Sequence, residues 1–135
     1  MEEMMQDEIV VQTETKRQIV DLTDEVNRKI ASHKSADGLC ILFVKHTTAV
    51  ITIGEVEGGT AEDFLKFIEK IIPTMEFRHT HKENHAPDHM IGSLVGPDLT
   101  IPVKGGQLDL GTWQRIMFVE LDGPRERSVA LTLIT

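Results

Sequence analysis

The chain has 135 residues and sets 22 acidic against 14 basic side chains, for a formal net charge of −8. That balance excludes a nucleic-acid or anionic-membrane face, which needs an excess of Lys and Arg, so neither partner is expected. The lone Cys40 excludes an internal disulfide, no apolar run nears the roughly 20 residues that span a bilayer, and the acidic start lacks a leader's basic and apolar regions; the expectation is a cytoplasmic protein.

In chain order, residues 1–7 read as a loose extension, and Glu8 to Thr13 as a β-branched strand with a second over Gln18 to Leu22. Thr23 then reads as the N-cap of a helix running to about His33, with Asp24 and Glu25 in its first turn and Gly38 at the exit. Leu39 to Val44 is a continuous apolar run of strand length, which suggests a central strand covered on both faces. Ala49 to Ile53 is a further short strand after a polar step. Gly58 and Gly59 break the chain, and Thr60 with Asp63 forms a capping-box pattern for a helix with an apolar stripe of Phe64, Phe67, Ile68 and Ile71, stopped by Pro73. Residues 74–86 are polar and irregular, and Pro87 starts a short helix through Leu94, ended by Gly96. Leu99 to Val103 and Leu108 to Leu110 flank a tight Gly105-Gly106 turn, Trp113 to Leu121 is a long strand, and Ser128 to Thr135 is the last. Strands and helices mix without a βαβ repeat, so the expected class is α+β: one domain over residues 1–135 with a mixed, largely antiparallel sheet.

Four of the six histidines, His79, His81, His85 and His89, crowd into one polar stretch, and a fifth, His46, ends the apolar run. Imidazole binds transition metals and exchanges protons near neutral pH. Two histidines of the polar stretch joined by His46 would make a three-nitrogen site with an open position, the pattern of catalytic zinc; the competing reading is a solvated loop. Thr47 and Thr48 follow His46 and either present hydroxyls to a cleft or merely turn the chain. Glu55, at the end of a strand, is a candidate base or an exposed turn carboxylate. Glu120 lies inside the apolar run IMFVEL, where a carboxylate must be paired or functional; Arg125 and Arg127 are its nearest cations and could instead hold an anionic substrate. Gly111-Thr112-Trp113-Gln114 offers a stacking surface beside an amide, against the alternative of a core or interface tryptophan. Cys40 reads as an inert buried thiol.

Three segments, HTTAVITIGE, PDHMIGSLVGPDLTIPV and GTWQRIMFVELDGPRER, in this order and spacing, resemble the motifs of the YjbQ-like family, whose members are often labelled secondary thiamine-phosphate synthases; the likeness runs from about residue 8 to the end. The resemblance implies an α+β half-barrel with two main helices and one short helix, assembled as a homotrimer. It implies His46, His79 and His89 as metal ligands, with zinc foremost and magnesium or manganese as alternatives for a phosphorylated substrate. His46, Glu55 and Glu120 are then the catalytic candidates. Thr47, Thr48, Gly111, Trp113, Gln114, Arg125 and Arg127 are the substrate contacts, while His81 and His85 are left solvated. The implied activity is a metal-dependent transfer on a small phosphorylated or heterocyclic substrate; a metal-assisted hydrolase and a non-catalytic metal- or ligand-binding trimer are the alternatives. The chain departs from the family pattern at TIGEVEGG, where Gly54 replaces an asparagine, and at HTT, which replaces HTS but keeps the hydroxyl.

Overall fold

The computed structural model describes residues 3–34, 36–78 and 85–135, and all structural statements below concern those residues. β1 (Met4–Gln12), β8 (Glu126–Ile134), β3 (Gly38–Val44), β5 (Asp98–Lys104) and β6 (Gln107–Leu108) form a five-stranded sheet in the order β1-β8-β3-β5-β6. β2 (Gln18–Asp21), β7 (Arg115–Glu120) and β4 (Ala49–Gly54) form a three-stranded sheet in the order β2-β7-β4. Every pairing is antiparallel, so the sheet is not mixed as the sequence suggested. The strands curl into a half-barrel, and the helices are α1 (Thr23–Ser32), α2 (Thr60–Ile71) and α3 (Ala86–Val95). α3, expected to be short, equals α1 in length at 10 residues.

Alternation along the strands sorts side chains into two cores. One lies between the sheets: Cys40, Leu42 and Val44 of β3, Leu131 and Leu133 of β8, Ile116 and Phe118 of β7, with Val26 and Ile30 of α1. The other covers the far face of the three-stranded sheet, where Val50, Met117 and Val119 meet Ile68 of α2 and Ile91 of α3. β7 is therefore the strand buried on both faces, and Glu120 ends it inside apolar surroundings. β3 is central but covered on one face only, since Leu39 and Phe43 point outward and are exposed. An uninterrupted apolar run cannot distinguish a doubly covered strand from one with an exposed apolar face. Each fully buried Leu, Ile or Phe contributes about 1.5–3 kcal/mol.

Several local expectations change. β1 starts at Met4 and pairs with β8 along its whole length, so residues 4–7 are not a loose extension. Thr23 is not a cap: Leu22 holds that position, and the Thr23 hydroxyl donates to Asp21 (2.7 Å) while accepting the Ile116 amide (2.8 Å), tying α1 to β7. The capping box is absent too. Gly59, at φ 86°, is the N-cap of α2, and the Thr60 hydroxyl donates to the Glu57 carbonyl at 2.7 Å. On α2, Ile68, Phe64 and Leu65 pack inward, with Ile72 just past its end, whereas Phe67 and Ile71 are exposed. The β5–β6 turn is as expected, with Gly105 and Gly106 at φ 60° and 80°, a conformation that favours glycine.

Candidate functional site

β3 leaves the five-stranded ladder after Val44, which lies opposite Val129 of β8. The next β8 amide, that of Ser128, donates instead to Nε2 of His46 at 3.1 Å. The half-buried ring thus takes over the ladder place that β3 gives up. Burial, and next to it the Arg127 guanidinium, holds the His46 imidazole below its ordinary pKa, so the neutral ring is favoured. Thr47 follows, exposed, and Thr48, buried, leads into β4.

α3 seats directly on this step. A Cβ on Gly92 would stand 2.4 Å from the Thr47 carbonyl oxygen, so glycine is what lets the helix backbone approach. Between the two lies a cavity of about 290 Å³ lined by His46, Thr47, Ala49, His89, Gly92, Ser93 and Pro97. His89 and Ser93, four residues apart on α3, present neighbouring positions to it. Two of the sequence-selected histidines therefore share one cavity. A larger hollow, about 790 Å³ beside α1 and the β5–β6 turn, has no histidine among the described residues of its lining.

Behind the cavity, Glu120 and Arg127 form a wholly buried pair, 0% and 2% exposed. Arg127 donates from Nε to Oε1 (2.9 Å) and from Nη2 to Oε2 (2.5 Å) of Glu120, and from Nη2 to the Thr48 hydroxyl (2.9 Å). Glu120 also accepts the Thr13 hydroxyl (2.8 Å) and the Asp122 amide (3.1 Å). Burial alone would lift the Glu120 carboxyl; the hydrogen bonds from Arg127, Thr13 and Asp122 outweigh it and hold its pKa below the ordinary value. Both oxygens are occupied, and neither Glu120 nor Arg127 lines the cavity.

A second ion-pair knot fixes α3. Asp88, 1% exposed on the inward face three residues before Ile91, accepts Lys16 (3.1 Å) and Arg17 (2.8 Å). Asp122 takes Lys16 (3.3 Å), Arg125 (3.1 Å) and Nδ1 of His85 (2.6 Å). His85 is thus largely enclosed, with Nδ1 against the Asp122 carboxylate, and not solvated as expected. Partial burial works against the Lys16 ammonium, yet the two carboxylates raise its pKa above the ordinary value. His85, Asp88 and Asp122 converge closely enough to hold a cation, but Lys16, Arg17 and Arg125 already neutralise the carboxylates, and a metal would have to displace Lys16. An aspartate at i−3 from an apolar helix position was the available sequence signal for Asp88; the Ser128 amide and the Lys16–Arg17 pairings had none.

The remaining candidates lie elsewhere. Register pairs Ala49 with Glu120 at one end of the β4–β7 ladder and Gly54 with Arg115 at the other. At about 3.4 Å per residue the two ends are roughly 17 Å apart. Glu55 and the Gly111–Gln114 segment sit at the far end from His46. Glu55 is exposed, Trp113 is 64% exposed, and Gln114 turns its Oε1 back to accept the Gly111 amide at 2.8 Å. Within one chain, then, the histidine step and the tryptophan segment do not meet.

As a metal set the histidines fit poorly. A coordinating imidazole needs one bare nitrogen directed at the ion, and the bare nitrogen of His46 already accepts the Ser128 amide. His79, the second implied ligand, and His81 lie outside the described residues, which leaves His89 in the cavity.

The profile of the UPF0047, YjbQ-like protein family matches residues 7–135, and the chain belongs to that family. A UPF0047 protein of Archaeoglobus fulgidus is 41% identical over 123 residues, covering 90% of this chain and 95% of the relative. UPF0047 protein YugU of Bacillus subtilis is 32% identical over 125 residues, covering 92% and 95%. Among solved structures, a YbjQ-like protein of unknown function from Sulfolobus solfataricus superposes with a TM-score of 0.92 at 34% identity, covering 99% of both chains. No helix among the described residues is long and apolar enough to cross a membrane.

Proposed function

We propose that this YjbQ-like domain is an enzyme that transfers a group on a small phosphorylated, heterocyclic substrate, with thiamine-phosphate formation as an activity it can carry. The observation that supports this reading is the meeting of His46 and His89, from distant parts of the chain, in one cavity with Thr47 and Ser93. Small-substrate sites are concave, mostly apolar and equipped with a few convergent polar groups, and this cavity has that character. In such a transfer the histidines hold and orient the substrate ring, while the Glu120–Arg127 pair and the Asp88 knot keep the cavity's two walls in place. No step is routed through a metal, because His46 offers no suitable nitrogen.

The same reading includes a homotrimer. Trp113 is exposed on a turn, and the outer face of β3 carries Leu39 and Phe43. A neighbouring copy packed there could bring its own Gly111–Gln114 segment towards the cavity. Light scattering on the eluted protein checks the assembly, with the mass of three chains as the expected result.

The activity is tested by incubating the protein with a hydroxymethylpyrimidine pyrophosphate and a thiazole phosphate and following thiamine phosphate. The expected result is turnover that falls at least tenfold in His89→Ala and in Ser93→Ala, with both variants folded. Turnover unaffected by either change would refute the assignment to this cavity, and no turnover by the wild type would refute the transferase reading.

A further inference from the structure

We propose that His46 serves the cavity as a neutral hydrogen-bond donor, locked with its proton on Nδ1, and that the partner it is built for is an acceptor atom of an uncharged heterocycle. This inference rests on reading the cavity as the substrate site.

The first half follows from one hydrogen bond. A backbone amide can only donate, so the Nε2 that receives the Ser128 amide at 3.1 Å must present a lone pair. A neutral imidazole has one bare nitrogen and one N–H, which places the proton on Nδ1. Among the described residues no protein group accepts from Nδ1, and the ring lines the cavity, so the N–H is what His46 offers to a ligand. The tautomer is imposed by the main chain: β3 stops one residue short of Ser128, and the ring closes the ladder. Coordination through Nε2 would orphan that amide. Coordination through Nδ1 would need the proton on Nε2, where two donors would face each other. The ring is set up to donate.

The second half follows from the lining. Besides the two histidines it offers two hydroxyls, those of Thr47 and Ser93, and apolar surface from Ala49, Gly92 and Pro97. Among the described residues its lining holds no Lys or Arg, and the guanidinium of Arg127 is spent on Glu120 and Thr48. A phosphate held here would find no cationic partner among the described residues, whereas phosphate sites typically supply one. About 290 Å³ of weakly polar space with fixed donors suits the flat, acceptor-bearing ring of the substrate, and leaves the phosphate to lie outside.

The test is long-range ¹H–¹⁵N correlation NMR of the imidazoles in uniformly labelled protein at pH 8. His46→Gln, whose carbonyl can still accept the Ser128 amide, assigns the His46 signals, and the wild-type contact between the Ser128 amide proton and the ring assigns them independently. The expected pattern is a protonated Nδ1 and a bare Nε2, unchanged by one equivalent of zinc. A proton on Nε2, or zinc-induced displacement of either ring signal, would overturn the locked-donor assignment. In the second arm 4-amino-5-hydroxymethyl-2-methylpyrimidine and inorganic phosphate are added separately. The pyrimidine should shift the Nδ1 signal and phosphate should not. A shift with phosphate alone, or with neither probe, would overturn the choice of ligand. Both arms read binding, not turnover, so they stand or fall separately from the transferase assay.

Discussion

Replacing Arg127 with methionine would remove the guanidinium that meets both oxygens of Glu120 while leaving a side chain of similar reach. Glu120, 0% exposed, would keep only the Thr13 hydroxyl and the Asp122 amide, and Thr48 would lose its donor. Stranding a buried charge in this way costs about 3–5 kcal/mol, a large share of the ~5–15 kcal/mol that holds a domain of this kind together. With an unfolding entropy of about 2.1 cal/mol/K per residue, each kcal/mol is worth about 3–4 °C here, so the melting temperature should drop by about 10–18 °C. The double variant Glu120→Leu/Arg127→Met should recover much of the loss, because the charge and its counter-charge leave together. The pH dependence supplies the sign. In the wild type the Glu120 pKa is lowered, so its contribution is present above the ordinary carboxylate value and is lost as pH falls through the lowered one. In the variant the unpaired, buried carboxyl shifts the other way, and protonating it relieves the penalty. The gap between the two proteins should therefore narrow as pH falls from 7.5 towards 5. Circular-dichroism melts of the three proteins at several pH values measure this. A loss under about 1 kcal/mol, or a gap independent of pH, would refute the argument that the pair is held together by uncompensated burial.

Gly92→Ala should destabilise by about 1–3 kcal/mol in urea titration, because its Cβ would press on the Thr47 carbonyl from 2.4 Å and push α3 off the cavity. Burial raises the Cys40 thiol to about 12, so the native protein should resist an aromatic disulfide reagent at pH 8 and react with one thiol equivalent once unfolded in guanidinium. The His46 pKa is below its ordinary 6.5 in the fold, so the unfolded chain binds the proton first and stability should fall as pH drops below about 6.5; His46→Gln should flatten that slope in urea midpoints measured from pH 8 to 5. Trp113→Ala should change the stability of a single folded chain by no more than about 0.5 kcal/mol, since the ring is exposed, yet it should shift light-scattering mass towards the monomer if the ring sits between subunits.

Local chemistry was enough for much of the fold. β-branched and apolar runs marked all but the ends of β1, β3, β4, β7 and β8, Pro87 and Gly96 bracketed α3, and the Gly105-Gly106 pair placed the β5–β6 turn, because each of these depends on side-chain volume and backbone freedom within a few residues. The charge balance and the single cysteine likewise bounded the class without reference to any contact. The start of α1 departs from the capping pattern because the Thr23 hydroxyl finds a partner in the β7 backbone and not in its own helix. The inward face of α2 departs from the apolar stripe because periodicity does not say which side of a helix meets the sheet.

The site was legible as a set of residue types and not as a place. His46 and His89 were singled out by chemistry and do share a cavity, but the pairing of Glu120 with Arg127 at β7 and β8, and the gathering of Lys16, Arg17, Asp88 and Asp122, depend on which strands neighbour which. Strand register likewise puts Trp113 at the opposite end of β7 from the histidine step. The protonation of His46 was decided at the last remove, by a main-chain amide of β8 that has no signature in any side chain. Residue type determines what a group can donate, accept or bury, while only the tertiary arrangement determines which partner is within 3 Å to use it.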